Sequence, residues 1–483
     1  MDFRKFFIDV FKGAGISILE EFEKAVGIKR DRSEPKRSIP KQDKDGIHYG
    51  KPGLYFDYGD WQHKLFIGKH GSGKNTLAEN FVLNTPHGVA FLDNAKGSSI
   101  TNILRSLPEK RLEKTVVLDH SNPKKPLGLG TAKEVDDIFE NDMIVGQWED
   151  FFISNFDIGD LFRTRKLIRY AMKAIFGAEN TTILDSINFV EDQDYRDYIL
   201  SQLDKEKYKD VLKYWNKFDE GVKNINEHSA AFLNRTGNLE GDTILKTTLG
   251  QHSKLNYEKW VNNGYTVLIK VPEKDLPTEA VRIISAVHMI RLWRACLSRG
   301  DVFDQPDKQF TVICDEPQGW LKRNTKILDN IFSKARAYRM NIICLIQSIE
   351  QIRAESSKLL KIILHNKPDI LALTEINLFD FDWGSLNKYQ FLARVQGQKF
   401  VGKGLKPPKF KREADDLYRM FRDIFNEDYR KVLERRFNRW EKVSTKEKKK
   451  SKTSQDTGLK KTSNTESQSK TEKSSDSSIV TNW

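Results

Sequence analysis

The residues Gly68-Lys69-His70-Gly71-Ser72-Gly73-Lys74-Asn75-Thr76 carry chemistry most directly. They match G-x-x-x-x-G-K, the pattern of a phosphate-binding loop. Gly68, Gly71 and Gly73 let backbone amides, Ser72 among them, curl around phosphate oxygens. The start of the following helix adds partial positive charge. Lys74 has the reach to meet β- and γ-phosphates. The chemistry calls for ATP with Mg2+. One position departs from the pattern. Asn75 stands where Ser or Thr normally offers a hydroxyl to the ion. Its amide oxygen can ligate Mg2+ directly or through a water. Thr76 comes one residue late, turned about a quarter of the way round the helix. The bland alternative is a vestigial loop.

A second motif lies far downstream. Phe310-Thr311-Val312-Ile313-Cys314-Asp315-Glu316 is an apolar run ending in two carboxylates. At the C-terminal edge of a parallel sheet such a pair faces the ligand crevice. Asp315 then holds Mg2+ through water, and Glu316 orients and polarises the attacking water. A solvated strand-end turn is the competing reading. The next apolar run, NIICLI, ends in Gln347-Ser348. An amide at that tip can sense a γ-phosphate, although a helix cap would use the same residues. Arg336 lies on the helix before this run and can serve as an arginine finger toward a neighbouring subunit. Arg339 and Lys334 compete for that role, and all three also suit a solvated helix face.

The elements that must position these residues are legible as periodicity. HKLFI (63–67) reads as the strand before the loop and NTLAENFVL (75–83) as the helix after it. Further strands are expected at 265–271, 309–314, 341–346 and 368–373. Their near-continuous apolar runs suit a parallel sheet covered on both faces. Residues 131–260 carry helix-period patterns instead, among them Leu161, Leu167, Ile168, Ala171 and Ile175, and read as an all-α insertion.

The expected organisation is an amphipathic N-terminal helix (1–27), a basic linker (28–50) and the first part of an α/β core (51–130). The all-α insertion (131–260) and the second part of the core (261–410) follow. Charged helices (411–442), with Leu417, Met420, Phe421 and Ile424 on one stripe, precede a Lys/Ser/Thr-rich tail (443–483) expected to be disordered. Residues 1–27 suit packing on the body, on a neighbouring subunit or on a membrane surface, since Arg4, Lys5 and Lys12 flank the aromatics.

Composition bounds the rest. The 483 residues are 38% hydrophobic and 31% charged, which excludes both global disorder and a membrane-embedded chain. The net charge is +13, with most of the excess C-terminal to residue 400. Cys296, Cys314 and Cys344 are too scattered for a disulfide framework or a zinc knuckle and fit a reducing cytosol. No run approaches the length of a membrane span.

The order of phosphate loop, helical insertion, Asp-Glu strand and Arg…Gln-Ser resembles the FtsK–HerA superfamily of DNA-pumping ATPases. Within it, the chain is similar to the coupling-protein ATPases of conjugative type IV secretion. GVAFLDNAKGSS (88–99), TVVLDHSNPKKPLGLG (115–130) and LGQHSKLNYEKWVNNGYTVLIKVPEKDL (249–276) carry the likeness. CDEPQGWL (314–321) and RAYRMNIICLIQSIEQI (336–352) extend it. The resemblance implies a RecA-like core and a ring, usually hexameric, with nucleotide between subunits and DNA through the centre, held by its backbone. It makes Lys74 the phosphate lysine, Asp315 the metal carboxylate, Glu316 the catalytic base, Gln347 the sensor and Arg336 the trans-acting arginine. The implied partners are a relaxosome or secretion-channel protein, in the cytoplasm or at the inner face of the membrane.

Coupling proteins usually start with transmembrane helices, and this sequence shows none. It reads as a variant that docks on a membrane partner through residues 1–27, or as a viral genome-packaging motor that works on a capsid. Two further readings are a nucleotide-gated DNA recruitment factor with little turnover and a HerA-type helicase or repair ATPase. The basic tail suits DNA recruitment and partner docking equally.

Overall fold

The computed structural model describes residues 33–35, 46–51, 53–57, 62–132, 137–156, 158, 162–220, 225–321, 323, 325–350, 363–364, 368–376 and 378–438. The expectations for residues 1–27 and 443–483 lie outside these residues.

One mixed sheet of eleven strands organises the described chain. In chain order these are β1 (Gly46–Lys51), β2 (Leu54–Asp57), β3 (Lys64–Ile67), β4 (Gly88–Asp93), β5 (Thr115–Asp119) and β6 (Thr266–Lys270). They continue with β7 (Phe310–Asp315), β8 (Met340–Ile346), β9 (Asp369–Ala372), β10 (Gln390–Val395) and β11 (Gln398–Gly404). The spatial order is β2-β1-β11-β10-β9-β3-β8-β7-β4-β6-β5. From β9 to β5 neighbours run parallel, and from β9 to β2 they run antiparallel.

Strand alternation explains the apolar runs. Leu65, Ile67, Leu92, Val312, Cys314, Cys344 and Ile346 face one side, within the larger apolar cluster. Phe66, Phe91, Ile313, Ile343 and Leu345 face the other. Both sides are covered, so neither parity of position is polar. On the second side lie α1 (Lys74–Asn84), through Leu77 and Phe81, and α2 (Ser98–Ser106), through Ile100, Ile103 and Leu104.

Between β5 and β6 every regular helix or strand among the described residues is a helix. The two longest there are α3 (Ile138–Asn155), capped by the Asp137 side chain, and Ile225–Gly241. With α4 (Phe162–Gly177) they enclose Trp148, Phe151, Phe152, Ile168, Phe176 and Phe232. The long α5 (Thr278–Leu297), buried nearly all round, joins the same cluster to the sheet. The chain then runs through α6 (Thr325–Lys334) into β8 and ends its described part with α7 (Asp415–Phe425) and a helix over 429–438.

Three local expectations are corrected. Residues 46–50, read as the end of a linker, form β1. Ile47 and Tyr49 are buried, and Tyr49 stacks on Phe56 of β2 at 4.0 Å. Alternation inside a charged stretch hid that short strand. On α7 the buried positions are Tyr418 and Phe421, while Met420 and Ile424 of the expected stripe are about half exposed. A polar contact turns the helix: the Tyr418 hydroxyl lies 3.0 Å from Thr101 Oγ1. Arg336 sits beyond the end of α6, in the turn before β8.

Candidate functional site

The tips of β3, β8, β7 and β4 converge because their register is continuous. Ile67 pairs with Ile346, Cys314 with Cys344, and Asp93 with Asp315. Beyond these pairs the ladder continues by single bonds. Gly68 N donates to Ile346 O at 3.0 Å, and Glu316 N donates to Leu345 O at 3.1 Å. Residues separated by hundreds of positions thus meet at one C-terminal edge, where open parallel sheets hold ligands.

The phosphate loop has the backbone its glycines permit. Gly71 and Gly73 have φ of 80° and 98°. Gly73 is the left-handed cap from which α1 starts. A side chain at Gly68 would collide with Ser72 Oγ. Lys74 is buried, with Nζ 3.9 Å from Asp315 Oδ1. Asn75 Nδ2 donates to Asp315 Oδ2 at 2.8 Å and to Ser99 Oγ at 3.0 Å. Thr76 lies on the first turn of α1, where its carbonyl accepts from Asn80.

Asp315 is 1% exposed, and its Oδ1 accepts no hydrogen bond among the described residues. Burial and the charge of Asp93 push its carboxyl up to about 7, against the pull of Lys74 and Asn75. Burial also raises Asp93, whose Oδ1 accepts from the amides of Ala95 and Gly97 at 3.1 Å each. Burial raises Glu79, one turn below Asn75, to about 7, against hydrogen bonds from Asn102 and Ser99. A buried acidic oxygen without a donor, beside an amide and an ammonium, suits a divalent cation held with phosphate.

Glu316 has φ of 51°, in the left-handed region that non-glycine residues rarely adopt. The carboxylate accepts a hydrogen bond from Gln347 Nε2 at 2.7 Å. Glu273 stands near enough that the Glu316 charge, after burial, raises its carboxyl. The loop, Lys74, Asn75, Asp315, Glu316 and Gln347 therefore come together. Arg336 does not. It lies at the opposite end of β8 from Gln347, about 23 Å of strand away at ~3.3 Å per residue. There its guanidinium is 4.7 Å from the centroid of the Phe303 ring.

Asp93, Ser99 and Glu79 complete the buried polar group, and no role was read for them in the sequence. The available signal was an apolar run ending in Asp93 and followed by Gly97-Ser98-Ser99, which repeats on β4 the strand-to-acid pattern of β7.

No family model matches the chain, and no curated protein matches it. Solved structures do. The bacterial conjugative coupling protein TrwB, lacking its first 70 residues, aligns with a TM-score of 0.55 at 13% identity, over 79% of this chain and 94% of that one. TrwB in complex with ADP and Mg2+ aligns at 0.53, also at 13% identity, over 80% and 94%. VirB4 of Thermoanaerobacter pseudethanolicus aligns at 0.52 and 12% identity, over 77% and 99%. The chain shares the mixed α/β, RecA-like P-loop fold of these structures. Among its described residues no helix is long and apolar enough to cross a membrane.

Proposed function

We propose that the chain is a P-loop ATPase that moves DNA in conjugative transfer, in the manner of a coupling protein. The observation that carries the reading is the meeting of two distant pairs at one sheet edge. Lys74 and Asn75 face Asp315, while Glu316 is held by Gln347. The fold shared with TrwB, which has been solved with ADP and Mg2+, supports the nucleotide and the ion.

In this reading the loop amides and Lys74 hold the triphosphate. Asp315 and the Asn75 carbonyl oxygen hold Mg2+, with Thr76 in reserve on the same turn. When bound, the ion would supply positive charge against the negative charge developing on the phosphates. Glu316 accepts the proton of the attacking water, and Gln347 fixes its carboxylate and responds to loss of the γ-phosphate. Arg336 is too far from its own loop to act there and serves a neighbouring subunit's nucleotide, which requires a ring. Hexameric assembly, sequence-independent grip on DNA phosphates and docking to a relaxosome or secretion channel belong to the same reading.

The test is steady-state ATP hydrolysis with and without DNA, for the wild type and Glu316→Gln, with particle mass measured on the same samples. DNA-stimulated turnover that disappears in Glu316→Gln, in samples containing rings, supports the motor. Tight ATP binding with no turnover on any DNA would sink it in favour of a nucleotide-gated recruitment factor.

A further inference from the structure

A second recess opens beside the phosphate loop, away from the acidic strand tips. Its volume is about 370 Å³. Lys69, His70, Gly71 and Ser72 form one wall, and the other comes from the start of the β9–β10 connection and its end. Two aromatic rings, Trp383 and Tyr389, line that second wall with Leu373 and Leu386.

Tyr389 is the unusual member. It is 51% exposed, so it contributes little to the core. Its φ is 68°, where a side chain is disfavoured and glycine is not. The turn that imposes this conformation is tied at several points. Gly404 N donates to Tyr389 O at 2.9 Å, Gln390 N to Asn387 O at 3.0 Å, and Asn387 N to Gln390 Oε1 at 2.7 Å. A Cβ built on Gly73 would stand 3.8 Å from Tyr389 Cδ1 and 3.9 Å from Leu373 Cδ2. The ring is therefore held half exposed at the mouth of the phosphate loop, on a strained backbone. Strain kept at a cleft in this way points to a ligand.

We propose that this recess binds the nucleobase of the nucleoside triphosphate, with Tyr389 as its stacking surface. The inference rests on the nucleotide-binding reading above and adds the site of the base to it. Phosphates on the amides of the loop leave the ribose and base to run outward, and this recess, polar in much of its lining but carrying two aromatic rings, is continuous with those amides. Stacking on an aromatic ring suits any base. Thr374 and Asn387, also in the lining, supply polar edges. Lys388 Nζ, 5.1 Å from the Tyr389 ring centroid, adds positive charge at the same mouth.

The experiment compares two probes, ATP and inorganic tripolyphosphate, which has the phosphates and lacks the base. Their binding is measured by calorimetry on the full chain, as the wild type, Tyr389→Gly and Tyr389→Phe. Glycine is chosen because φ of 68° suits it, so the variant keeps its fold, and the unfolding midpoint checks this. The expected result is ATP affinity about ten- to a hundredfold lower in Tyr389→Gly. Tripolyphosphate affinity stays unchanged, and Tyr389→Phe stays close to wild type for both. Equal loss for both probes would make Tyr389 a brace of the phosphate loop and overturn the proposal. No loss for either would overturn it as well. A wild type that binds neither probe would refute the phosphate-loop reading itself, and the recess with it. A wild type that binds both keeps the two failures apart.

Discussion

Asn75 Nδ2 donates to Asp315 Oδ2 across 2.8 Å, joining the first turn of the phosphate-loop helix to the acidic tip of β7. In its ionised form the Asp315 carboxylate only accepts, and the amide nitrogen is the end that faces it. The same nitrogen reaches Ser99 Oγ at 3.0 Å, so both amide hydrogens have acceptors. The carbonyl oxygen is then what Asn75 can offer to a cation. In the proposed reading Asn75 would offer its oxygen to the ion where the usual loop offers a hydroxyl, while its amide holds Asp315.

The first prediction follows from that geometry. Asn75→Leu removes the oxygen and the tie to Asp315 together. The Mg2+ concentration for half-maximal nucleotide binding should rise at least about tenfold. Asn75→Ser, with a hydroxyl at the same place, should recover most of the loss. A Mg2+ titration unchanged in Asn75→Leu would remove this residue from the metal side.

A pH dependence follows from the buried acids. Asp315 and Glu79 are each pushed up to about 7, chiefly by burial, from ordinary values of 3.8 and 4.5. The folded chain binds these protons more tightly than the unfolded chain does. Their contribution to stability is fully present below about pH 4 and is lost as pH rises through about 7. Without nucleotide and Mg2+ the protein should therefore melt at a lower temperature at about pH 8 than at about pH 5.5. The two acids together contribute on the order of a few kcal/mol to that difference. Asp315→Asn should flatten the dependence, and a profile unaltered by that change would contradict the assignment.

Glu316 and Gln347 give a split between activity and stability. Glu316→Gln should lower the rate of hydrolysis about a hundredfold or more while ATP still binds. Glu316→Gly should abolish hydrolysis and stabilise the fold by about 1 kcal/mol, because glycine adopts φ of 51° without penalty. Gln347→Ala should lower the rate with little effect on ATP affinity. Denaturation by urea and steady-state kinetics on the same preparations read both sides. A destabilised Glu316→Gly would show that the left-handed backbone at this strand tip carries no strain.

Helix α7 makes an ion pair with a buried acid of the sheet, beside the packing of Tyr418 and Phe421. Arg422 reaches Asp119 Oδ2 at 2.7 Å, and Asp119 is 1% exposed. Burial alone would raise the Asp119 carboxyl. Lys270, Ser121 and Arg422 overcome it and hold the carboxyl below its ordinary value. Arg422→Ala should cost about 2 kcal/mol, less than for a fully buried pair because part of Arg422 stays in water. Arg419→Ala, which breaks only an exposed pair with Asp416, should cost under about 0.5 kcal/mol. Urea midpoints of the two variants should separate clearly, and equal midpoints would mean that the pair does not clamp the helix.

Much of the central sheet was legible beforehand. HKLFI, QFTVIC, NIICLI and the run at 368–373 became β3, β7, β8 and β9 because unbroken apolar runs of that length have few other uses. The helical character between β5 and β6 was legible for a similar reason, since three- and four-residue periodicity needs only local sequence. The β1–β2 hairpin was not legible. It is short, it sits beside a charged stretch, and its apolar residues have meaning only against Phe391 and Phe400 of later strands. The buried face of α7 was legible only in part: Phe421 is buried and Leu417 packs on the cluster, while Met420 and Ile424 are half exposed. Periodicity locates a stripe, but the partner surface, here Thr101 and the β5 edge, decides which way it turns.

The site divides along the same line. By itself the sequence determined the phosphate loop, whose glycines and lysine act through the backbone and one helix end, within a few residues of each other. It also determined that Asp315-Glu316 and Gln347 end apolar strands. Only the tertiary structure decided that β8 lies between β3 and β7, which brings Asn75 to Asp315 and Gln347 to Glu316. Only it placed Asp93 in register with Asp315, Arg336 at the far end of β8, and Tyr389 over the mouth of the loop. Strand order and register arise from packing across the whole sheet, and burial sets the charge of its acids. Neither quantity belongs to any one segment of the chain.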